Sequence, residues 1–166
     1  LRLGIDGAMA LYSVTKLTGN ASLNLSGQLP NQPGLPSAVT HPPDVITGSL
    51  GLGAERQFGR FNVGLTGTAA RVVTGPSQRS DTGLTDNSDQ NHWALNSGLR
   101  IGYRVTPIFE VFGQGNIGRD IFDRPSTSLM VRQDGTQRTL RAGIAGKWGS
   151  VLSASASMGV GEYVFD

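Results

Sequence analysis

The residues able to do chemistry in this chain are few, and most lie in polar stretches. His41 and His92 are far apart in sequence, and His92 alone has acids close by, at Asp86 and Asp89. Ser80 and Ser88 are the nucleophile candidates beside it, but a Ser-His-Asp relay is defined by geometry rather than proximity in sequence. Solvated loop residues account for this group better. Asp81, Asp86 and Asp89 would suit calcium only within an Asp-x-Asn-x-Asp-Gly loop, which is absent. The spaced glycines of GLGAERQFGR (51–60) fall in a strand-and-turn pattern, not in a phosphate cradle. With no Cys in the chain, thiolate metal sites, disulfides and Cys nucleophiles are excluded. These residues predict no enzyme, no cofactor and no metal.

A second kind of chemistry, that of a polar lining, is spread along the whole chain. Arg2, Asp6, Glu55, Arg100, Arg104, Glu110, Gln114, Asn116, Arg141 and Lys147 each sit opposite an apolar residue in a period-two pattern. Such alternation marks strands with one apolar and one polar face. If the polar faces meet, these side chains project into one lumen. In a wide barrel they line water and bias permeation, with the small excess of cations favouring anions; in a narrow one they pair and plug it.

The elements that would position them can be read directly. Eight alternating segments emerge: about 1–14, 20–29, 46–57 and 92–105, with four more carried by Phe61 to Ala69, Phe109 to Ile117, Thr139 to Trp148 and Leu152 to Val160. A short Thr/Lys/Gly turn separates the first two. Phe58-Gly59-Arg60, Thr106-Pro107 and Gly149-Ser150 mark further tight turns. Long polar loops occupy about 30–44 (five prolines), 75–91 and 123–137; Met130 and Val131 could extend a strand within the last. Gly is heavily used, at 24 of 166 residues, which argues against helices. The 14 basic and 12 acidic residues are dispersed, without the basic stripe of a nucleic-acid surface.

A soluble β-sandwich also alternates, so three further features decide. The segments run to about 12–15 residues, against roughly 5–6 for globular strands. Aromatics cluster at strand ends: Tyr12, Phe58, Phe61, Tyr103, Phe109 and Trp148 beside short turns, and Trp93, Phe122, Tyr163 and Phe165 at the opposite ends. Amphipathic rings gather at that level in membrane barrels. Mid-strand charges fall on the polar face, Arg71 and Arg119 being exceptions towards the long-loop rim. The expected fold over residues 1–166 is therefore an all-β, antiparallel up-and-down transmembrane β-barrel. Its interface aromatics would be Phe58, Phe61, Trp93, Tyr103, Phe109, Phe122, Trp148 and Tyr163.

The stretch R-x-L-R-A-G-x-A-G-K-W, turn, V-L-S-A-S-A-S-M-G-V-G-E-Y-x-F-D (138–166) resembles bacterial outer-membrane proteins of the putative β-barrel porin type. L-R-I-G-Y-R-V-T-P-I-F-E-V-F-G-Q-G-N (99–116) is similar to strand pairs of the same family. The resemblance implies a Gram-negative outer-membrane location and a porin-like or export-associated transport role in contact with outer-membrane lipid. It also implies partners among envelope or surface-polysaccharide proteins. The alternative is a non-conducting structural barrel whose long loops bind partners at the cell surface. Tight turns on the periplasmic side would place both ends of this chain at the extracellular rim. The expectation is then a larger barrel, with at least one further strand at each end.

Overall fold

The computed structural model describes residues 1–11, 14–27, 39–80, 83–126, 130–148 and 152–165. Its strands are β1 (Arg2–Leu11), β2 (Thr15–Gly27), β3 (Val39–His41), β4 (Asp44–Phe58), β5 (Phe61–Thr74), β6 (Ser77–Arg79) and β7 (Gly83–Thr85). They continue with β8 (His92–Arg104), β9 (Phe109–Phe122), β10 (Gly135–Trp148) and β11 (Leu152–Phe165). A single 3-10 turn at Ser88–Gln90 is the one helical element among the described residues. Eight strands form an antiparallel meander in the order β1-β2-β4-β5-β8-β9-β10-β11, and β3, β6 and β7 form a small separate sheet.

All eight expected strands are present, with altered limits. The second begins at Thr15, so the Thr/Lys/Gly segment is strand rather than turn, pairing from Leu11↔Thr15 onwards. Val14 lies in a turn before it; Tyr12, like Gly149-Ser150 and most of the proline-rich loop, lies outside the described residues. β10 starts at Gly135, so the third loop is shorter than expected. Met130 and Val131 extend no strand, and Met130 has φ +57°. That left-handed conformation is incompatible with strand geometry. Between β4 and β5 the two-residue turn Gly59-Arg60 has Gly59 at φ +59°, a position glycine takes without steric cost. The turn between β8 and β9 is held by Thr106 Oγ1, which accepts from the Phe109 N–H at 3.0 Å.

Among the described residues β1 and β11 do not pair with each other, so the sheet is open rather than a closed barrel. Every described side chain of β11 is exposed, as expected where a strand has a neighbour on one edge only. The sheet is nevertheless staggered as a barrel wall is. Partners followed across it from Leu11, the last residue of β1, run Thr15, Arg56, Val63, Ile101, Gly113, Ala142 and Met158. Met158 lies six residues inside β11, which starts at Leu152. The turn rim therefore steps by just under one residue per strand. With a rise of about 3.3 Å and a spacing of about 4.8 Å, this inclines the strands by roughly 30° to the rim, close to the tilt of closed barrels.

The two faces differ in chemistry and in curvature. Leu3, Ile5, Leu23, Leu50, Leu52, Leu65, Leu95, Leu99, Ile101, Val111, Ile117, Leu140, Ile144, Met158 and Val160 share one face by register, and all of them are exposed. No hydrophobic side chain is buried among the described residues. Most polar-face glycines are crowded: a Cβ on Gly98 would overlap Asn116 and Thr66, and one on Gly118 would overlap Asn96. A Cβ on Gly7, Gly67 or Gly113 of the apolar face meets nothing within 4 Å. Side chains converge on a concave face and splay on a convex one, so the polar face is the inside of the curve.

Candidate functional site

The concave face carries all ten residues expected to line a lumen. The register adds what alternation cannot show, namely which of them lie side by side. One row across the sheet reads Ala10, Lys16, Glu55, Gly64, Arg100, Gln114, Arg141 and Gly159. Four expected residues, Glu55, Arg100, Gln114 and Arg141, are thereby brought into one belt. Lys16 belongs with them, opposite Glu55. It escapes a sequence reading that assigns Thr15 and Lys16 to a turn, although Lys16 keeps the even-numbered parity of the polar face of β2.

Charge pairing within the belt is partial. Arg100 Nη2 donates to Glu110 Oε1 at 2.8 Å, and its guanidinium lies 3.9 Å from the centroid of the Phe112 ring. Glu110 stands directly opposite Arg104 in the register, but its ion pair is with Arg100. Asn62 Nδ2 donates to Glu55 Oε1 at 2.6 Å, and Gln114 Nε2 donates to Asn116 Oδ1 at 3.1 Å. Lys16, Glu55, Arg100, Glu110 and Gln114 line a cavity of about 570 Å³ on this face. Within seven residues of the turn ends, the polar face carries the cations Lys16, Arg100, Arg104, Arg141 and Lys147 against Asp6, Glu55 and Glu110. Nearer the loops, the same face carries Arg2 and Asp120. The turn-side half is thus cationic, a distribution suited to attracting anions.

Six of the eight expected interface aromatics lie on the apolar face: Phe58, Phe61, Trp93, Tyr103, Phe109 and Trp148. Phe61 packs on Tyr103 at 5.0 Å and Phe109 on Trp148 at 5.4 Å between centroids. Phe122 and Tyr163 fall instead on the polar face: Phe122 stacks on His92, and Tyr163 donates weakly to Asp120 at 3.4 Å. Both continue the parity of the polar residues in their strands. The apolar face also carries charges at one level, at Arg71, Arg119, Arg138 and Glu162, each three residues inside the loop end of its strand. Arg71 Nη1 donates to Asp123 Oδ1 at 2.8 Å and its guanidinium sits 5.5 Å from the Trp93 ring. Ten residues separate Arg71 from Phe61, Arg119 from Phe109, Arg138 from Trp148 and Trp93 from Tyr103. Arg56 sits near the turn rim, stacked on Phe58 at 4.8 Å.

Among the described loop residues, His92 and Ser88 are held by other partners. His92 Nδ1 lies 2.8 Å from the Gln90 carbonyl. Ser88 instead donates from its N–H and its hydroxyl to Asp86, and accepts from Arg124 at 2.9 Å. Those bonds hold the Asp86 carboxyl below its ordinary pKa. Hydrogen bonding to Arg71 does the same for Asp123. No group of His, Asp and Glu able to hold a metal occurs among the described residues.

The eight strands thus form an antiparallel, staggered meander with its polar face on the inside of the curve. The chain belongs to the putative β-barrel porin 2 family, whose model matches residues 1–166. That membership points to a membrane-associated, non-enzymatic barrel. No curated protein and no solved structure matches the chain.

Proposed function

We propose that the chain forms the wall of an outer-membrane, porin-like channel whose aqueous lumen is the concave face and favours anions. The observation that carries this reading is the Lys16–Glu55–Arg100–Gln114–Arg141 row, with cations in excess around it. Membrane placement is supported by the ten-residue spacing on the convex face. At a rise of about 3.3 Å and a tilt of roughly 30°, ten residues stand about 28 Å tall, close to the ~25 Å apolar band of outer-membrane barrels. The uncovered apolar face points the same way. Eight strands at about 4.8 Å by ten residues give on the order of 1,200 Å², well beyond the ~300–600 Å² patches of soluble monomers. Lipid covers it without a second protein layer. The unpaired edges of β1 and β11 are covered by further strands, since long exposed edges invite aggregation.

The test is the reversal potential of the full-length protein in a planar bilayer under a salt gradient. Anion selectivity is expected, and Glu110→Gln should strengthen it by removing a carboxylate and freeing Arg100. A cation-selective pore would overturn the reading. A second reading is favoured by the β3–β6–β7 sheet, which joins the first and second long loops through His41↔Gln78 and folds the second on itself through Ser77↔Thr85. It provides an ordered surface beyond the spanning strands, suited to envelope or surface-polysaccharide partners. A folded barrel without conductance would select it.

A further inference from the structure

The turn-side end of the concave face holds a second group of polar side chains, apart from the belt. Arg104, Glu110, Ala145 and Ser155 form one row across β8 to β11, and Lys147 faces Ser153 one step nearer the rim. Along β8 this row is four residues beyond Arg100, about 13 Å at strand rise. Arg100, Arg104, Glu110, Lys147, Ser153 and Ser155 line one basin of about 440 Å³. The basin exists because Ala145, Ser153 and Ser155 are short, which keeps its floor low between two long cations.

The charges around it are unevenly compensated. Glu110 pairs with Arg100 at 2.8 Å. Among the described residues, neither Arg104 nor Lys147 takes part in an ion pair or a side-chain hydrogen bond. The hydroxyls of Ser153 and Ser155 are exposed and equally free of partners there. Three cations against one carboxylate leave about two net positive charges at the basin. Two strand spacings and two residues of rise put the Arg104 and Lys147 Cα atoms about 12 Å apart. Both side chains can therefore reach an anion seated over Ala145.

We infer that this basin binds a small organic phosphate monoester, with its phosphate over Ala145 between Arg104 and Lys147. The guanidinium fork of Arg104 takes two phosphate oxygens and Lys147 supplies a point charge. Ser153 and Ser155 donate to the remaining oxygen. A phosphate monoester carries about −1.5 to −2 charges at neutral pH and three acceptor oxygens, which matches both the net charge and the donors. A carboxylate or a sulfate ester brings only one charge. The volume falls in the ~300–1,000 Å³ range of small-molecule sites, so an organic part fits beside the phosphate, against Pro107 and Ile108. The inference rests on the anion-favouring lumen proposed above and names the class of anion taken up at its turn-side end.

The test is isothermal titration calorimetry of the full-length protein in neutral detergent with glucose 6-phosphate, glucose 6-sulfate and inorganic phosphate. Glucose 6-phosphate should bind about tenfold more tightly than the sulfate ester, which has the same shape and one charge fewer. Arg104→Gln/Lys147→Gln should remove that preference, and Lys147→Arg, which keeps the charge, should retain it. If the double variant loses resistance to SDS and so fails to fold, Arg104→Lys takes its place. That variant keeps the charge without the fork and should weaken glucose 6-phosphate binding several-fold. Equal binding of the two esters by the native protein, or a preference untouched by these substitutions, would overturn the inference. So would inorganic phosphate binding as tightly as the sugar phosphate, which would leave the organic part no role. Reversal potentials in a planar bilayer are recorded alongside. An anion-selective pore without the preference refutes this site alone, whereas a cation-selective pore refutes the lumen reading on which it rests.

Discussion

Ile144 offers a way to separate a membrane wall from a sheet that faces water. It lies on the convex face of β10, between Arg138 and Trp148, and is 53% exposed. At about 2.8 Å of height per residue, from the rise and tilt, it stands about 17 Å below Arg138 and 11 Å above Trp148. That places it within about 3 Å of the midpoint of the apolar band. On a water-facing sheet, an exposed Ile replaced by Arg would change stability by less than about 0.5 kcal/mol. In hydrocarbon, an Arg near the midplane costs about 2–4 kcal/mol. Ala145→Arg, the next residue but on the concave face, controls for strand propensity and should cost less than about 1 kcal/mol. Trp148→Arg at the rim should show only the ~0–1 kcal/mol charge penalty of the interface, beyond the loss of the ring. The assay is reversible guanidinium unfolding in phospholipid vesicles, followed by Trp fluorescence for the first two variants and by circular dichroism for the third. Ile144→Arg and Ala145→Arg with equal effects would refute the assignment of the convex face to lipid.

Two further outcomes follow from the geometry. Gly98→Val, whose side chain would overlap Asn116 and Thr66, should cost about 1–3 kcal/mol. Gly67→Val, with open space around it, should be neutral or mildly stabilising by its strand propensity; the same unfolding assay checks both. The Asp123 carboxyl is held below its ordinary value by Arg71, so its contribution is complete above the unfolded pKa and fades as pH falls through the depressed one. The loop contact should therefore survive from pH 8 to 5 and fail only in stronger acid. A carboxyl titration by NMR checks this, with Arg71→Gln returning Asp123 towards its ordinary range.

Alternation within each strand was legible because side-chain direction has a period of two whatever the neighbouring strands do. It was enough to locate eight strands and to assign Arg100, Glu110 and Gln114 to one face. Which residues of different strands lie side by side was not legible. That depends on where each turn closes, and a run such as Thr15-Lys16 gives no local sign of being strand or turn. Lys16 was missed for this reason, and the belt with it. The bridge between the loops was hidden too, because three-residue strands such as Ser77–Arg79 are too short to show a period. Phe122 and Tyr163 show the opposite error: strand-end position suggested an interface role, whereas their parity already placed them with the polar side chains. The open edges of β1 and β11 are a property of three-dimensional pairing, and nothing in either strand's own residues distinguishes them from inner strands.

The central claim is that the apolar face meets lipid while the polar face meets water, and the lack of Cys in the chain makes a direct measurement clean. Single Cys substitutions along β9, from Phe109 to Phe122, would carry a nitroxide spin label in the vesicle-reconstituted full-length protein. The account predicts a period of two. Odd positions from Val111 to Ile117 should be relaxed by oxygen, which concentrates in hydrocarbon, and even positions from Glu110 to Gly118 by a water-soluble nickel chelate. Nickel accessibility at the odd positions, or no alternation at all, would contradict it.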